Sequence, residues 1–209
     1  MDALAPILLL AMGFAVGLSG ALMPGPLLLY TIQESLKKGR WTGLVVILGH
    51  MTVEVFIFAA IILGLNEFMT SRPFVTAVSL LGGTAMIWMA AASLRDASKP
   101  VKTIIQKKTH NTLIGGVIFT AFNPGFPIWW ATAGTTLLME GLRQMGQAGM
   151  LLVFIGHWGA DLGWFLLVSM ITAKSSGLLF EKGWYRNVRK TLAIALLAIG
   201  LYFIASVFT

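Results

Sequence analysis

The sequence predicts an all-α integral membrane protein: six transmembrane helices arranged as two inverted three-helix repeats, with the first helix of each half broken at a Pro-Gly. Three observations point there. The chain is 57% hydrophobic and 11% charged, with a mean hydropathy of +0.83, whereas an ordinary soluble domain carries about 25% charged residues. Its apolar residues fall into six runs separated by charge clusters. Two unusual patterns, a proline-glycine break and a Gly-His-x-x-x-acid motif, each occur once before and once after the longest polar connection.

The six runs cover residues 3–30, 42–65, 74–94, 113–139, 146–173 and 191–208. Each is near or above the roughly 20 residues a helix needs to cross about 30 Å of hydrocarbon. Hydrocarbon cannot solvate backbone amides, so spans are helices or a closed barrel, and continuous apolarity without alternation rejects the barrel. Met1-Asp2-Ala3 lacks the basic region of a signal peptide, and the run behind it is too long for a signal core, so it reads as a span. No soluble domain is predicted. Residues 1–209 form one transmembrane domain, with a first half at 1–95, a cytoplasmic linker at 96–112 and a second half at 113–209.

The formal charge of +7 would suggest nucleic acid for a soluble chain. Here the bases lie between apolar runs, where membrane topology explains them and no nucleic-acid partner is called for. The first-second connection carries Lys37, Lys38 and Arg40; the third-fourth carries Arg95, Lys99, Lys102, Lys107 and Lys108; the fifth-sixth carries Lys174, Lys182, Arg186, Arg189 and Lys190. The opposite face has only Arg72 and Arg143. By the positive-inside rule the basic loops are cytoplasmic and both termini lie outside, in a multi-pass protein of the cell (inner or plasma) membrane. Trp41 and Trp184 sit where interfacial anchors belong. The absence of cysteine excludes disulfides, thiolate metal sites and a dithiol redox couple. Three spans precede the linker and three follow, and an odd number per half inverts the second copy.

The breaks are Pro24-Gly25-Pro26 in the first run and Asn123-Pro124-Gly125-Phe126-Pro127 in the fourth. Each proline lacks an amide donor and clashes with the carbonyl four residues back, so the carbonyls of Gly20, Leu22, Thr120 and Asn123 are expected to become free ligands. The half-helix after each break is expected to offer free amides to an anion. A proline kink alone is tolerated in membrane helices. Breaks at corresponding places in two halves instead mark a binding site, making Pro24, Gly25, Pro26, Asn123, Pro124 and Gly125 candidates.

The second repeated pattern is Gly49-His50-Met51-Thr52-Val53-Glu54 and Gly156-His157-Trp158-Gly159-Ala160-Asp161. Both acids fall near the middle of their runs, where a charge costs about 2.5–3.5 kcal/mol on the insertion scale. A histidine four residues before an acid shares its helical face, about 6 Å away along the axis. The bland alternative is a satisfied polar contact between helices. The functional one is a cluster of His50, Glu54, His157 and Asp161 that binds a cation or titrates during transport. Trp129, Trp130, Trp158 and Trp164 read as packing, or as a cation-facing aromatic wall. Gly13-x-x-x-Gly17 and Gly159-x-x-x-Gly163 read as close helix contacts.

Pro24-Gly25-Pro26, the turn Lys37-Lys38-Gly39-Arg40 leading through Gly43 to Gly49, and Asn123-Pro124 opening the second half together resemble the LysE/RhtB-type amino-acid exporters over nearly the whole chain. The resemblance implies export of amino acids or small solutes, driven by a proton or ion gradient, with a homodimer as one assembly. Pro24, Gly25, Pro26, Asn123 and Pro124 match its motif, while the histidines depart from it; the wider superfamily also moves divalent metal ions. The leading expectation is therefore a secondary exporter of an amino acid or related small zwitterion. Its ammonium would meet Glu54 and Asp161, and its carboxylate the amides after Pro26 or Pro127, with no cofactor. The alternative is a divalent metal-ion exporter with His50, Glu54, His157 and Asp161 as nitrogen and oxygen ligands. An intramembrane metal-dependent hydrolase ranks below both, because no His-Glu-x-x-His motif or nucleophile elbow occurs.

Overall fold

The computed structural model describes residues 4–23, 25–97, 111–181 and 184–208. Every regular element among them is helical: α1 (Ala5–Ala21), α2 (Pro26–Lys38), α3 (Thr42–Ile62), α4 (Asn66–Thr70), α5 (Arg72–Ala97), α6 (Thr112–Ala121), α7 (Gly125–Trp129), a π-helical turn (Trp130–Gly134), α8 (Thr135–Glu181) and α9 (Tyr185–Ala205). Pro24 and most of the 96–112 linker lie outside the described residues. Large apolar side chains such as Leu8, Phe56, Trp88 and Ile155 are exposed, at a density unusual for a water-soluble chain.

Four stretches are long and apolar enough to cross a membrane: Thr42–Ile62, Arg72–Arg95, Gly125–Ser176 and Arg186–Ala205. The α1 and α2 pair, meeting at 80°, makes a fifth if counted as one span. Two features separate this count from the six expected runs. Helix α6, with 10 residues, is too short to cross alone, and the fourth and fifth runs merge into one stretch. That stretch is not straight. Met145 (φ −140°, ψ 22°) and Gly146 (φ 62°, ψ −150°) interrupt α8, and the backbone at Gly146 is a conformation open essentially to glycine. Gly141 and Gly149 consequently touch, a Cβ on Gly141 falling 2.6 Å from the Gly149 carbonyl oxygen, whereas eight residues of continuous helix would part them by about 12 Å. The chain doubles back as a hairpin with limbs 135–144 and 147–181.

Glycine seams hold the helices together. Helix α1 lies along the second limb of α8, where the Leu10 carbonyl abuts Gly156 and the Val153 carbonyl abuts Gly13. Helix α6 lies along α3, where the Leu113 carbonyl abuts Gly49 and the Val46 carbonyl abuts Gly116. In both seams a Leu-x-x-Gly segment meets a Val-x-x-Gly segment, and a side chain at any of the four glycines would strike backbone. Gly17 belongs to the first seam and touches His157, as the Gly13-x-x-x-Gly17 spacing predicts. The second predicted pair does not form a close contact: Gly163 has nothing within 4 Å, and Gly159 meets only the Phe14 ring.

Two buried apolar clusters form the core, one around Val46, Ile47, Phe119 and Phe165, the other around Leu9, Trp130, Val153 and Phe154. Arg189 departs from its expected place in a basic loop. It lies inside α9, buried, with a guanidinium nitrogen 3.5 Å from Ser93 Oγ. Trp41 and Trp184 are exposed at the starts of α3 and α9.

Candidate functional site

The spacing of four residues in each motif turns a histidine and an acid to the same side of α3 and of the second limb of α8. The glycine seams then bring both pairs together. His50 Nε2 lies 3.0 Å from Glu54 Oε1, which lies 2.8 Å from His157 Nε2; that nitrogen is 3.1 Å from Asp161 Oδ2, which is 3.5 Å from His50 Nε2. Nitrogen and oxygen thus alternate around a closed circuit. All four residues are buried, Glu54 completely, and one ligand atom from each lies within 4.8 Å of the others.

The two acids are not equivalent. Trp130 Nε1 donates to Glu54 Oε1 at 3.1 Å and Trp158 Nε1 donates to Oε2 at 2.8 Å. With His50 and His157 also against Oε1, four nitrogens surround this carboxylate. Asp161 Oδ2 is near both histidines yet takes no directed hydrogen bond among the described residues. An indole N–H can only donate, so both oxygens of Glu54 already accept from the protein, while Asp161 Oδ2 has only the two histidine contacts among the described residues.

The histidines differ in the same way. His50 Nδ1 lies 3.0 Å from Thr120 Oγ1, whose hydroxyl donates to the Gly116 carbonyl at 2.8 Å. The single hydroxyl hydrogen being spent, Thr120 accepts from a hydrogen on His50 Nδ1. His157 Nδ1 has no hydrogen-bond partner among the described residues; its ring stacks on Trp129 and meets the edge of Trp130.

The breaks close part of the backbone that the sequence leaves open. Gly20 O accepts from Met23 N at 3.1 Å, Thr120 O from Asn123 N at 3.1 Å, and Asn123 O from Phe126 N at 3.0 Å. These three carbonyls are therefore not the free ligands expected of them. After the second break, Asn123 Oδ1 accepts from Gly125 N at 3.1 Å, and Pro127 has no N–H to offer. The first amide of that half-helix is thus capped from within the chain. After the first break Gly25 is the N-cap of α2 and supplies no side chain to it.

A cavity of about 330 Å³ adjoins the tetrad. Its wall includes all four tetrad residues, residues 25–28 of the first break, Asn123 and Gly125 of the second, and the rings of Phe119, Phe126, Trp129 and Phe165. Five of the six candidate residues at the breaks are described, and of these Gly25, Pro26, Asn123 and Gly125 reach the cavity wall while Pro124 caps α7. Sequence reasoning missed the role of the Thr120 hydroxyl and the donor roles of Trp130 and Trp158. The available signal was that a buried indole seeks an acceptor, and the only acids in the apolar runs nearby are Glu54 and Asp161.

The family model described as LysE type translocator matches residues 18–207. No functionally described protein and no solved structure is matched. The match takes in both breaks and both His-acid motifs. The chain belongs to the LysE type translocator family and is an all-helical, multi-pass membrane protein of the transporter class.

Proposed function

We propose that this protein is a secondary transporter, not an enzyme, that exports an amino acid or related small zwitterion by alternating access, coupled to a proton or ion gradient. The observation that carries the proposal is the buried tetrad on the wall of a 330 Å³ cavity, with a carboxylate from each motif. An ionisable cluster in membrane helices is costly and marks a substrate or ion path. The reciprocal Leu-x-x-Gly and Val-x-x-Gly seams support two inverted repeats. On this reading α1–α2 and α6–α7 are the broken first helices of six spans, and the α8 hairpin supplies the end of the fourth span and the fifth. Halves at 1–95 and 113–209 would rock about the cavity. On the same reading the protein lies in the cell's inner membrane, and the distribution of basic residues supports Lys37, Lys38 and Arg40 being cytoplasmic and both termini outside.

The test is counterflow of amino acids in proteoliposomes. Asp161→Asn is expected to lower it about 30-fold or more, the effect of removing one member of a buried charge pair, while the purified protein keeps its helix content and monodispersity. Undiminished transport by that variant would sink the proposal.

A second reading, export of a divalent cation as cargo, draws on the same tetrad, because two imidazole nitrogens and two carboxylate oxygens suit borderline metals. The indole N–H groups on both oxygens of Glu54 weigh against it. Stabilisation of the protein by Zn²⁺ or Mn²⁺ that disappears in both His50→Ala and His157→Ala would select this cargo over a zwitterion.

A further inference from the structure

We infer that the cavity takes a neutral amino acid with an apolar side chain, its carboxylate at the N-terminus of α2 and its ammonium at Asp161. The inference rests on the exporter reading above and adds a substrate class and an orientation. Two independent features define the poles. Helix α2 has 13 residues and its N-cap is Gly25, which is extended (φ −150°, ψ −179°) and gives no side-chain cap. Pro26 has no N–H, and Leu29 N is the first amide to bond back, reaching Gly25 O at 3.1 Å. The amides of Leu27 and Leu28 therefore precede the first bond of the helix, where the backbone favours an anion; both residues line the cavity. The other pole is Asp161, a residue 3% exposed that lines the same cavity and whose Oδ2, 3.1 and 3.5 Å from the two histidines, has no directed hydrogen bond among the described residues.

The charges present decide the side chain. No lysine or arginine lines the cavity among the described residues, and the imidazoles of His50 and His157 already face Glu54 and Asp161, so a second carboxylate would lack a cationic partner of its own. Among the described residues two carboxylates line it, and Glu54 is surrounded by four nitrogens, so a second ammonium would find no free carboxylate. Either charge would be buried unpaired at high cost. The remaining wall is apolar: Phe119, Phe126, Trp129, Phe165, Ile199 and Phe203. Of the polar groups in the wall, Asn123 Oδ1 is engaged with Gly125 N and Thr120 with His50 and Gly116.

Reconstituted protein loaded with labelled L-leucine and challenged with unlabelled competitors tests each part. L-Methionine and L-phenylalanine are expected to drive counterflow comparably to L-leucine. L-Lysine and L-glutamate are expected to fall about tenfold or more below it, as are 3-methylbutylamine, which lacks the carboxylate, and 4-methylpentanoate, which lacks the ammonium. Lysine or glutamate exchanging as well as leucine would overturn the substrate class while leaving the exporter reading intact. An amine competing as well as leucine would remove the α2 pole, and an acid doing so the Asp161 pole. Absence of counterflow with every amino acid, in protein shown to be folded, would overturn both this inference and the exporter reading.

Discussion

At the first break, Gly25 opens α2 with no side chain over its amides, whereas at the second Asn123 folds its own carboxamide onto Gly125 N. The halves diverge again at the histidines. Gly17, four residues beyond the seam glycine Gly13, lies bare against His157; Thr120, four beyond Gly116, holds His50 Nδ1. They diverge a third time at the acids, because Trp130 and Trp158 both donate to Glu54. A repeated frame thus carries unlike chemistry. In each comparison the frame comes from backbone contacts between glycines, and the difference comes from one or two side chains. His50 and Glu54 form the fastened side of the site, while His157 and Asp161 retain unused polar atoms on the cavity side.

The largest expected effect separates the two acids. Glu54→Gln leaves two indoles and two imidazoles around a neutral amide in a fully buried position, and breaking such a charge pair costs about 3–5 kcal/mol. Its thermal unfolding should therefore shift far more than that of Asp161→Asn, whose principal loss is transport. Equal melting temperatures for the two variants would show that the indoles do not fasten Glu54 and would dissolve the contrast between the halves.

The seams should respond alike where the acids do not. Gly13→Leu and Gly116→Leu each drive a side chain into a carbonyl of the facing helix, at Val153 and Val46 respectively. Overpacking of this kind costs about 1–3 kcal/mol. Similar losses of thermal stability in the two variants would support the equivalence of the seams. A large loss in one alone would confine the close approach to a single half.

Much of this was legible in the sequence, and for identifiable reasons. The four-residue spacing of His50 to Glu54 and His157 to Asp161 fixes a shared helical face, and two buried pairs in one apolar protein have few places to go except to each other. The seam glycines were half legible: Gly13-x-x-x-Gly17 contacts α8, but the same spacing at Gly159 and Gly163 does not make a seam, because spacing alone does not say which face meets a neighbour. The capping of the second break was hidden, since Asn123 reads equally as a cap or as a substrate ligand until its carboxamide is placed. The commitment of Glu54 was less visible still. It depends on Trp130, set by a π-helical turn, and on Trp158, 104 positions away in sequence, and no local pattern records such approaches.

The smallest expected effect concerns Thr120. Thr120→Val keeps the shape and removes the acceptor of His50 Nδ1–H, a net loss of about 1 kcal/mol. The change acts on orientation more than on folding: His50 can then turn or exchange its tautomer, loosening the Nε2 contacts with Glu54 and Asp161. Counterflow should fall several-fold and its pH profile should shift, because the imidazole that balances both carboxylates is no longer held in one protonation pattern. Thr120→Ser restores the hydroxyl and should restore both rate and profile, which mere loss of packing would not predict. Gly17→Ser sharpens the comparison from the other side. A Cβ there falls 2.6 Å from His157 Nδ1, so the added group displaces the imidazole instead of steadying it, and transport should fall with no rescue by alanine. If Gly17→Ser were active and Thr120→Val indistinguishable from wild type, the two histidines would be interchangeable and the fastened half would have no fastening at Thr120.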